Sequence, residues 1–386
     1  MQYFNIIQAL CRSALANPSN AIIHQVERLR DELKKDGSQK EAKALDSLLN
    51  AVAKNSDMAP SRIQRSFVVS GEELTPNTAI PVDKESSTPL AEIIFCKDLP
   101  SEPPLFNEDV NLGITSIINE WKNFEKLNSI QAQPSRSCLI YGAPGTGKTH
   151  LGMWMAKQIN TPVVLARLDG LMSSFLGTSS RNIGNLFAFA AKYRCVLMLD
   201  EFDAIAKLRD DPQEVGELKR VVNTLLQSLD TRIKSGFTIG ITNHEKLLDP
   251  AIWRRFDVQI EIPKPTPEVT MSLINRFSFP LNLEENKVKF LAWLVENSSG
   301  ADIENLTKWL KKEHVLNPGL RLIDQAKRFT FLNSVRIDAR KKNILSLTDE
   351  EIASELLTDR NYSFKQVDLA SIFNVSASTI SKLLKK

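Results

Sequence analysis

A glycine-rich loop between an apolar run and a helix-like stretch constrains the fold of this chain more than any other segment. The apolar run Cys138–Tyr141 is followed directly by Gly142-Ala143-Pro144-Gly145-Thr146-Gly147-Lys148-Thr149. In this strand–loop–helix context, the pattern G-x-x-x-x-G-K-[ST] predicts a phosphate-binding loop. Glycines allow the backbone to turn its N–H groups toward phosphate oxygens, and the N-terminus of the following helix adds partial positive charge. The sequence therefore predicts a site for the phosphates of a nucleotide.

This loop and the residue after it supply the contacts expected for ATP. We expect Lys148 to reach the β- and γ-phosphates during catalysis, and the Thr149 hydroxyl to bind Mg²⁺. The nucleotide-binding residues predicted in this segment are Gly142, Ala143, Pro144, Gly145, Thr146, Gly147, Lys148, Thr149 and His150.

The composition is that of an ordinary soluble protein. The chain has 386 residues, of which 42% are apolar and 25% are charged, with a formal net charge of +3. No window approaches the ~20 apolar residues of a membrane span, and the N-terminus lacks the pattern of a signal peptide. The four cysteines show no metal-ligand spacing and are expected to be reduced thiols. We therefore expect a cytoplasmic protein without a membrane partner.

The regions on either side of the central part differ in character. Residues 1–56 carry three amphipathic stripes and predict a small helical bundle that recruits a partner, with self-association as the alternative. Residues 57–105 contain many prolines and predict a linker with one short strand at 91–95. Residues 264–316 and 317–386 are both helical in pattern, and the second range ends in a helix-turn-helix-like segment at 366–383.

The central region, residues 106–263, alternates strand-like and helix-like segments. This alternation predicts an α/β fold with a parallel five-stranded sheet and helices on both faces. The five predicted strands are Cys138–Tyr141, Pro162–Ala166, Cys195–Leu199, Phe237–Thr242 and Val258–Ile262.

Two of these strands end in polar side chains suited to ATP hydrolysis. Asp200 and Glu201 follow the third strand, and Asn243 follows the fourth. An acid at the carboxyl end of a strand beside the phosphate loop can hold Mg²⁺, and the next acid can activate water. We assign Asp200 to the metal, Glu201 to general base catalysis and Asn243 to orientation of the attacking water.

These motifs resemble those of the AAA+ ATPases, and within them the branch of katanin-like remodellers and membrane-anchored AAA proteases. Residues 220–230 resemble the helix before the sensor strand, 248–257 the arginine-finger region and 298–304 the start of the sensor-2 helix. The resemblance covers residues 106–316. It implies a P-loop ATPase domain that binds ATP and Mg²⁺, with a helical lid over residues 264–316.

The resemblance also implies a ring, usually of six subunits, with nucleotide at the subunit interfaces. An arginine donated across an interface would stabilise charge on the transferred phosphoryl group. Arg254 and Arg255 lie in this region, adjacent to each other, whereas the family usually separates its two arginines by Pro-Gly. We favour Arg254 as the finger and Arg255 as a second finger or an interface brace. Gly300 and Ala301 occupy the sensor-2 position of the nucleotide site, where this branch usually has Ala.

A further segment, residues 173–183, resembles the first pore loop of the ring and the helix after it. Phe175 and Leu176 would grip an extended polypeptide by apolar contact, without sequence specificity. The alternative is that Phe175 packs in the core.

The C-terminal segment favours a helix-turn-helix. Asn374 lies at the turn, where a left-handed backbone is needed, and Ser376 can cap the second helix. Residues 305–386 hold 15 Lys and Arg against 9 Asp and Glu, an excess of positive charge that would favour duplex DNA. The alternative is a helical pair that never contacts DNA.

Two functions from different classes follow from this sequence. The first is a ring ATPase that remodels or translocates a protein substrate, with a separate companion effector from a plasmid-maintenance or phage-defence module. The second is a DNA-associated ATPase switch anchored through the C-terminal segment. A nucleotide-gated scaffold with slow turnover is a third reading, which the intact Asp200, Glu201 and Asn243 argue against.

Overall fold

The computed structural model describes residues 7–8, 10–11, 20–36, 38–47, 71–172, 178–206, 215–232 and 236–384. The chain divides into two compact units, Met1–Phe67 and Val68–Lys386. In the part of the chain that the structure describes, no helix combines the length and the apolar character needed to cross a bilayer.

The described residues of the N-terminal unit are mostly helical, as their amphipathic pattern predicts. Helix α1 spans Asn20–Lys35, and residues 39–47 form another helix. Val26, Leu33 and Leu45 are buried between them. Arg30 and Lys34 on α1 each pair with Asp46 at 3.3 Å, so the two helices are joined by apolar packing and by ion pairs.

The second unit combines one sheet with many helices. Its strands are β1 (Ala91–Ile94), β2 (Ser137–Tyr141), β3 (Val163–Ala166), β4 (Val196–Leu199), β5 (Phe237–Thr242) and β6 (Val258–Glu261). Its helices up to β6 are α2 (Glu108–Lys122), α3 (Phe124–Ser129), α4 (Lys148–Gln158), α5 (Leu168–Leu171), α6 (Thr178–Lys192), α7 (Asp203–Ala206), α8 (Val215–Arg232) and α9 (Pro250–Trp253). The helices after β6 are α10 (Pro267–Ser278), α11 (Glu285–Leu294), α12 (Gly300–Leu316), α13 (Leu322–Leu332), α14 (Ala339–Leu345), α15 (Asp349–Thr358), α16 (Gln366–Phe373) and α17 (Ala377–Leu383).

The α/β fold is confirmed, but the sheet has six strands instead of five. The strand order is β1-β3-β4-β5-β2-β6, and all pairs are parallel except β1 with β3. The additional strand, β1, is the short strand predicted at 91–95 in the proline-rich stretch, but its place in the sheet was not predicted; Leu90 and Leu99 beside it are also buried. It lies at the edge of the sheet, a place where antiparallel strands are common in otherwise parallel sheets.

Helices cover both faces of the sheet, as predicted. On one face α2 and α4 pack on the strands, and the ring of Trp121 stacks on Phe237 with 4.2 Å between centroids. On the other face α6 and α8 enclose a second apolar cluster that includes Leu186 and Leu225. Because β4, β5 and β2 are parallel and adjacent in that order, the segments after their carboxyl ends meet at one edge of the sheet.

The lid and the C-terminal helices share one apolar core. Buried side chains from α10 and α11 belong to the same cluster as those from α13, α15, α16 and α17. Phe290 on α11 and Phe373 on α16, for example, are both almost fully buried. The sequence analysis predicts a boundary in this region at residue 316. Helical periodicity predicts where each helix lies, but it does not predict which helix faces pack against each other. The helix-turn-helix-like segment is therefore built into the lid.

Candidate active site

Close contacts explain two of the glycines in the phosphate loop. Gly142 has φ +141°, and a Cβ there would lie 2.2 Å from the carbonyl oxygen of Ile262. Gly145 has φ +75°, and a Cβ there would lie 2.8 Å from Ser299 Oγ on the lid. Left-handed backbone and lack of space both exclude larger residues at these positions. The loop therefore fits between the sheet and the lid only with these glycines.

Lys148, the first residue of α4, lies buried under the loop. Its Nζ donates hydrogen bonds to the carbonyl oxygens of Gly142 at 2.9 Å and Ala143 at 2.7 Å. Burial lowers the pKa of this ammonium group, and the nearby carboxylates of Asp200 and Asp203 oppose that effect. The ammonium is thus already directed at the loop that would hold phosphates.

Thr149 and Asp200 lie side by side, as the sequence predicts. Thr149 Oγ1 donates a hydrogen bond of 2.7 Å to Asp200 Oδ2 at the end of β4. A hydroxyl and a carboxylate are the hard oxygen donors that Mg²⁺ prefers, and this ion usually keeps several water or phosphate ligands as well. These two side chains therefore fit a magnesium ion bound together with nucleotide phosphates.

Glu201, the residue after Asp200, has a left-handed backbone, and the turn gives Asp200, Glu201 and Asp203 different surroundings. Glu201 has φ +50°, and its N–H donates to Asp200 Oδ1 at 2.9 Å. This turn leaves Glu201 exposed, whereas Asp203 is buried and accepts a hydrogen bond from Thr242 Oγ1 at 2.8 Å. The left-handed backbone of a Glu is an uncommon conformation that occurs mainly at sites with a special role. The sequence pattern did not predict it, nor the structural role of Asp203.

Five predicted catalytic and metal-binding residues line one open cleft of about 620 Å³ between the sheet and the lid, whereas Arg254 and Arg255 do not. Lys148, Thr149, Asp200, Glu201 and Asn243 all contribute to its walls. Asn243 follows β5, the strand between β4 and β2, so it lies on the same edge as Glu201 and the phosphate loop. The sequence therefore predicted that these five side chains meet in one cleft.

The lid closes one side of the cleft. The N–H of Ala301 donates to the carbonyl oxygen of Gly145 at 3.0 Å, and Gly300 also lines the cleft. A capping box between Ser299 and Asp302 starts α12, with Ser299 Oγ donating to Asp302 Oδ2 at 2.6 Å. The predicted sensor-2 positions thus contact the phosphate loop directly.

Sequence reasoning missed two further parts of the cleft wall. They come from the segment before α2 and from α10 of the lid, and their residues are Glu102, Pro104, Leu105, Phe106, Leu273, Arg276 and Phe277. The first four belong to the stretch predicted as linker or lie next to it, where prolines obscured any periodic pattern. His150, predicted to bind nucleotide, is exposed, and its Nε2 donates to the carbonyl oxygen of Glu102 at 3.1 Å. Apolar and aromatic groups on this wall could pack against a nucleotide base.

The two adjacent arginines have different surroundings. Arg255 Nε lies 2.7 Å from Asp230 Oδ1 near the end of α8, although its N–H is not aligned for a hydrogen bond. Arg254, at the end of α9, is exposed. Among the described residues, an ion pair is therefore found for Arg255 and not for Arg254.

Two other predicted features have different outcomes. Phe175 and Leu176, the predicted pore-loop residues, lie outside the described residues. The C-terminal turn has the expected geometry: Asn374 is left-handed at φ 55° and ψ 48°, and Ser376 caps α17 through the N–H of Thr379. Ile380 is buried against the lid, whereas Ser378 and Lys382 are exposed.

Comparison with known proteins agrees with this geometry. Residues 138–264 match the family described as ATPase family associated with various cellular activities (AAA). An uncharacterized AAA family ATPase, y4kL, of Sinorhizobium fredii is 38% identical over 164 residues, which are 42% of this chain and 48% of the relative. A proteasome-activating nucleotidase of Methanococcus maripaludis is 27% identical over 277 residues, 66% of this chain and 68% of the relative.

Among solved structures, the AAA domain of FIGL-1 in complex with ADP superposes with a TM-score of 0.49 at 19% identity. The superposition covers 74% of this chain and 96% of that one. The match to the first of the curated relatives spans about half of that relative's length. Residues 138–264, which contain the phosphate loop, Asp200, Glu201 and Asn243, are therefore an ATPase domain of the AAA family.

Proposed function

We propose that this protein hydrolyses ATP with Mg²⁺ at the subunit interfaces of a ring and uses the energy to remodel or translocate a protein substrate. The observation that carries the proposal is the Thr149–Asp200 contact of 2.7 Å in a cleft that also contains Glu201 and Asn243. The match to a proteasome-activating nucleotidase covers 66% of this chain, and the name of that relative favours a role in which the substrate is a protein.

Each side chain of the cleft has one task in this proposal. Lys148 would stabilise negative charge on the phosphates, and Thr149 with Asp200 would hold Mg²⁺, which neutralises phosphate charge when it is bound. Glu201, exposed in the cleft, would accept the proton of the attacking water. Asn243, on the neighbouring strand, would orient that water.

The transferred phosphoryl group would also need a cation from a neighbouring subunit. Arg254 suits this role because it is exposed, whereas Arg255 is paired with Asp230. We propose that Arg254 acts in trans and that Arg255 braces the segment that carries it. An arginine finger of this kind can contribute several orders of magnitude to the rate.

Mixing two inactive variants tests the proposal. Lys148→Ala removes phosphate binding but keeps Arg254, and Arg254→Ala keeps the cleft but loses the finger. We expect each variant alone to be inactive and a mixture to regain ATPase activity, because some interfaces then combine an intact cleft with an intact Arg254. Mixtures of Lys148→Ala with Arg255→Ala provide the matched comparison. A mixture that stays inactive at every ratio, although the subunits co-assemble, contradicts hydrolysis at the interfaces.

The substrate would be gripped by Phe175 and Leu176 in the ring axis, and the N-terminal unit would recruit a partner. The companion effector, from a plasmid-maintenance or phage-defence module, is predicted from the sequence alone. Identification of the proteins that co-purify with a Glu201→Gln variant in ATP tests this part of the proposal.

A second candidate function is a DNA-associated ATPase switch, which the turn geometry at Asn374 and the exposed Ser378 and Lys382 favour. Deletion of residues 362–386 cannot test it, because Phe364 and Phe373 belong to the lid core. The double variant Ser378→Glu, Lys382→Glu changes only exposed positions. Duplex DNA binding that is weakened by salt and lost in this variant supports the switch, and binding that is indifferent to both excludes it.

A further inference from the structure

A short segment connects the two halves of the nucleotide cleft without being part of the covalent hinge. This connecting strap, Glu102–Phe106, precedes α2 and contributes four residues to the cleft wall. His150 on α4, the helix of the phosphate loop, donates to the carbonyl oxygen of Glu102 at 3.1 Å. Arg276 on α10 of the lid donates from Nη1 to the carbonyl oxygen of Pro103 at 2.7 Å. Consecutive carbonyl groups of the strap are thus bound from opposite sides of the cleft.

The side chains of the strap divide in the same way. Leu105 packs against the core of the lid, whereas Phe106 packs against the core on the sheet. The carbonyl oxygen of Phe106 accepts a hydrogen bond from Asn111 Nδ2 at 3.0 Å, and Asn107 caps α2 through the N–H of Val110. The carboxyl end of the strap is therefore anchored on the sheet side, and its middle is anchored on the lid.

The strap also lies against the hinge. Leu105 and Phe106 line a second, small cavity together with Pro263, Lys264 and Thr266, which join β6 to α10. Any rotation of the lid about this hinge must move Arg276 and Leu105 relative to His150 and Phe106. Since the same strap forms a wall of the cleft, such a rotation changes the shape of that wall.

We propose that His150 and Arg276 are positioning residues that hold the strap across the cleft and thereby control how fast nucleotide leaves. Neither side chain is bonded to Thr149, Asp200 or Glu201, so their effect is on nucleotide residence and not on phosphoryl transfer. The proposal rests on the nucleotide site proposed above. His150 also lines the cleft, so its contact with the strap is assigned in addition to the nucleotide contact that the sequence predicts.

The test measures dissociation of a fluorescent ADP analogue from the full-length protein, together with KM and kcat for ATP. Loss of one charge-assisted hydrogen bond at the cleft edge predicts that Arg276→Ala releases the analogue about fivefold faster. KM should rise by a similar factor without a fall in kcat. Arg276→Lys retains a donor for the carbonyl group of Pro103, so its dissociation rate and KM should lie close to those of the wild type. Arg328→Ala, on the outer surface of the lid beside Glu313, is the matched control and should behave as wild type.

A double-variant cycle tests the strap as a unit. If the strap acts as one connection, release of either end frees the cleft wall. His150→Ala and Arg276→Ala together should then raise the dissociation rate by less than the product of the two single increases. Strictly additive effects, or an Arg276→Ala variant with unchanged dissociation and KM, overturn the proposal. A wild-type protein that binds no nucleotide would instead contradict the proposed function, so the two failures are distinguishable.

Discussion

Thr149 Oγ1 and Asp200 Oδ2 are joined by a hydrogen bond of 2.7 Å, which connects the first turn of α4 to the end of β4. The two residues are far apart in the sequence, but both follow the carboxyl ends of parallel strands, β2 and β4, at one edge of the sheet. Their contact brings together the two oxygen ligands that the sequence assigns to Mg²⁺. The same contact predicts how the enzyme should depend on the metal.

We predict that Asp200→Asn raises the Mg²⁺ concentration needed for half-maximal ATP hydrolysis at least tenfold. The amide keeps the shape and can still accept the hydrogen bond of Thr149, but it lacks the charge that attracts the cation. Titration of ATPase activity with MgCl₂ measures this effect. Asp109→Asn, an exposed position on α2, provides the control. An unchanged Mg²⁺ requirement would remove Asp200 from the metal site.

The second prediction concerns the grip on substrate. Phe175→Ala should leave basal ATP hydrolysis largely intact and abolish stimulation by an unfolded protein, because only the apolar contact with the polypeptide is removed. Steady-state ATPase assays with and without an unfolded protein measure both quantities. If the variant instead loses folding and all hydrolysis together, Phe175 is a core residue and the pore-loop assignment is wrong.

The third prediction concerns a buried amide between α5 and α6. Asn182 Nδ2 donates to Asp83 Oδ1 at 3.2 Å and to the carbonyl oxygen of Gly170 at 3.1 Å. Asn182→Ala leaves these buried acceptors without their donor, so the free energy of unfolding should fall by about 1–3 kcal/mol. Thermal unfolding followed by circular dichroism measures the loss. The exposed Asn343→Ala should be neutral, and an equally small effect at Asn182 would contradict the contact.

Local patterns predicted much of the candidate site. The phosphate loop and the acids after β4 are contiguous motifs, so their chemistry is visible in the sequence before any fold is known. Asn243 could be placed beside them because parallel strands end at the same edge of the sheet. The sequence does not predict contacts between distant segments. Examples are the hydrogen bond from Arg276 to the carbonyl oxygen of Pro103 and the pairing of β1 with β3.

The same limit applies to contacts between the segments that the sequence treats as separate. Prolines in residues 71–105 suggest an extended linker, and nothing local indicates that Ala91 pairs with Ala166 at the sheet edge. In the C-terminal region, the helical pattern located α16 and α17, and Asn374 marked the turn correctly. The pattern could not show that Phe373 and Ile380 complete the core of the lid. An apolar face predicts that a helix is packed, but it does not predict which element covers that face.

The most direct measurement compares wild type with Glu201→Gln in ATP hydrolysis and in retention of ATP. Loss of the general base should reduce kcat at least a hundredfold, while Lys148, Thr149 and Asp200 continue to bind the nucleotide. The variant should therefore hold intact ATP after gel filtration, and Glu261→Gln, an exposed change on β6, should not. Hydrolysis at the wild-type rate by Glu201→Gln would contradict the assignment of this cleft as the site of ATP hydrolysis.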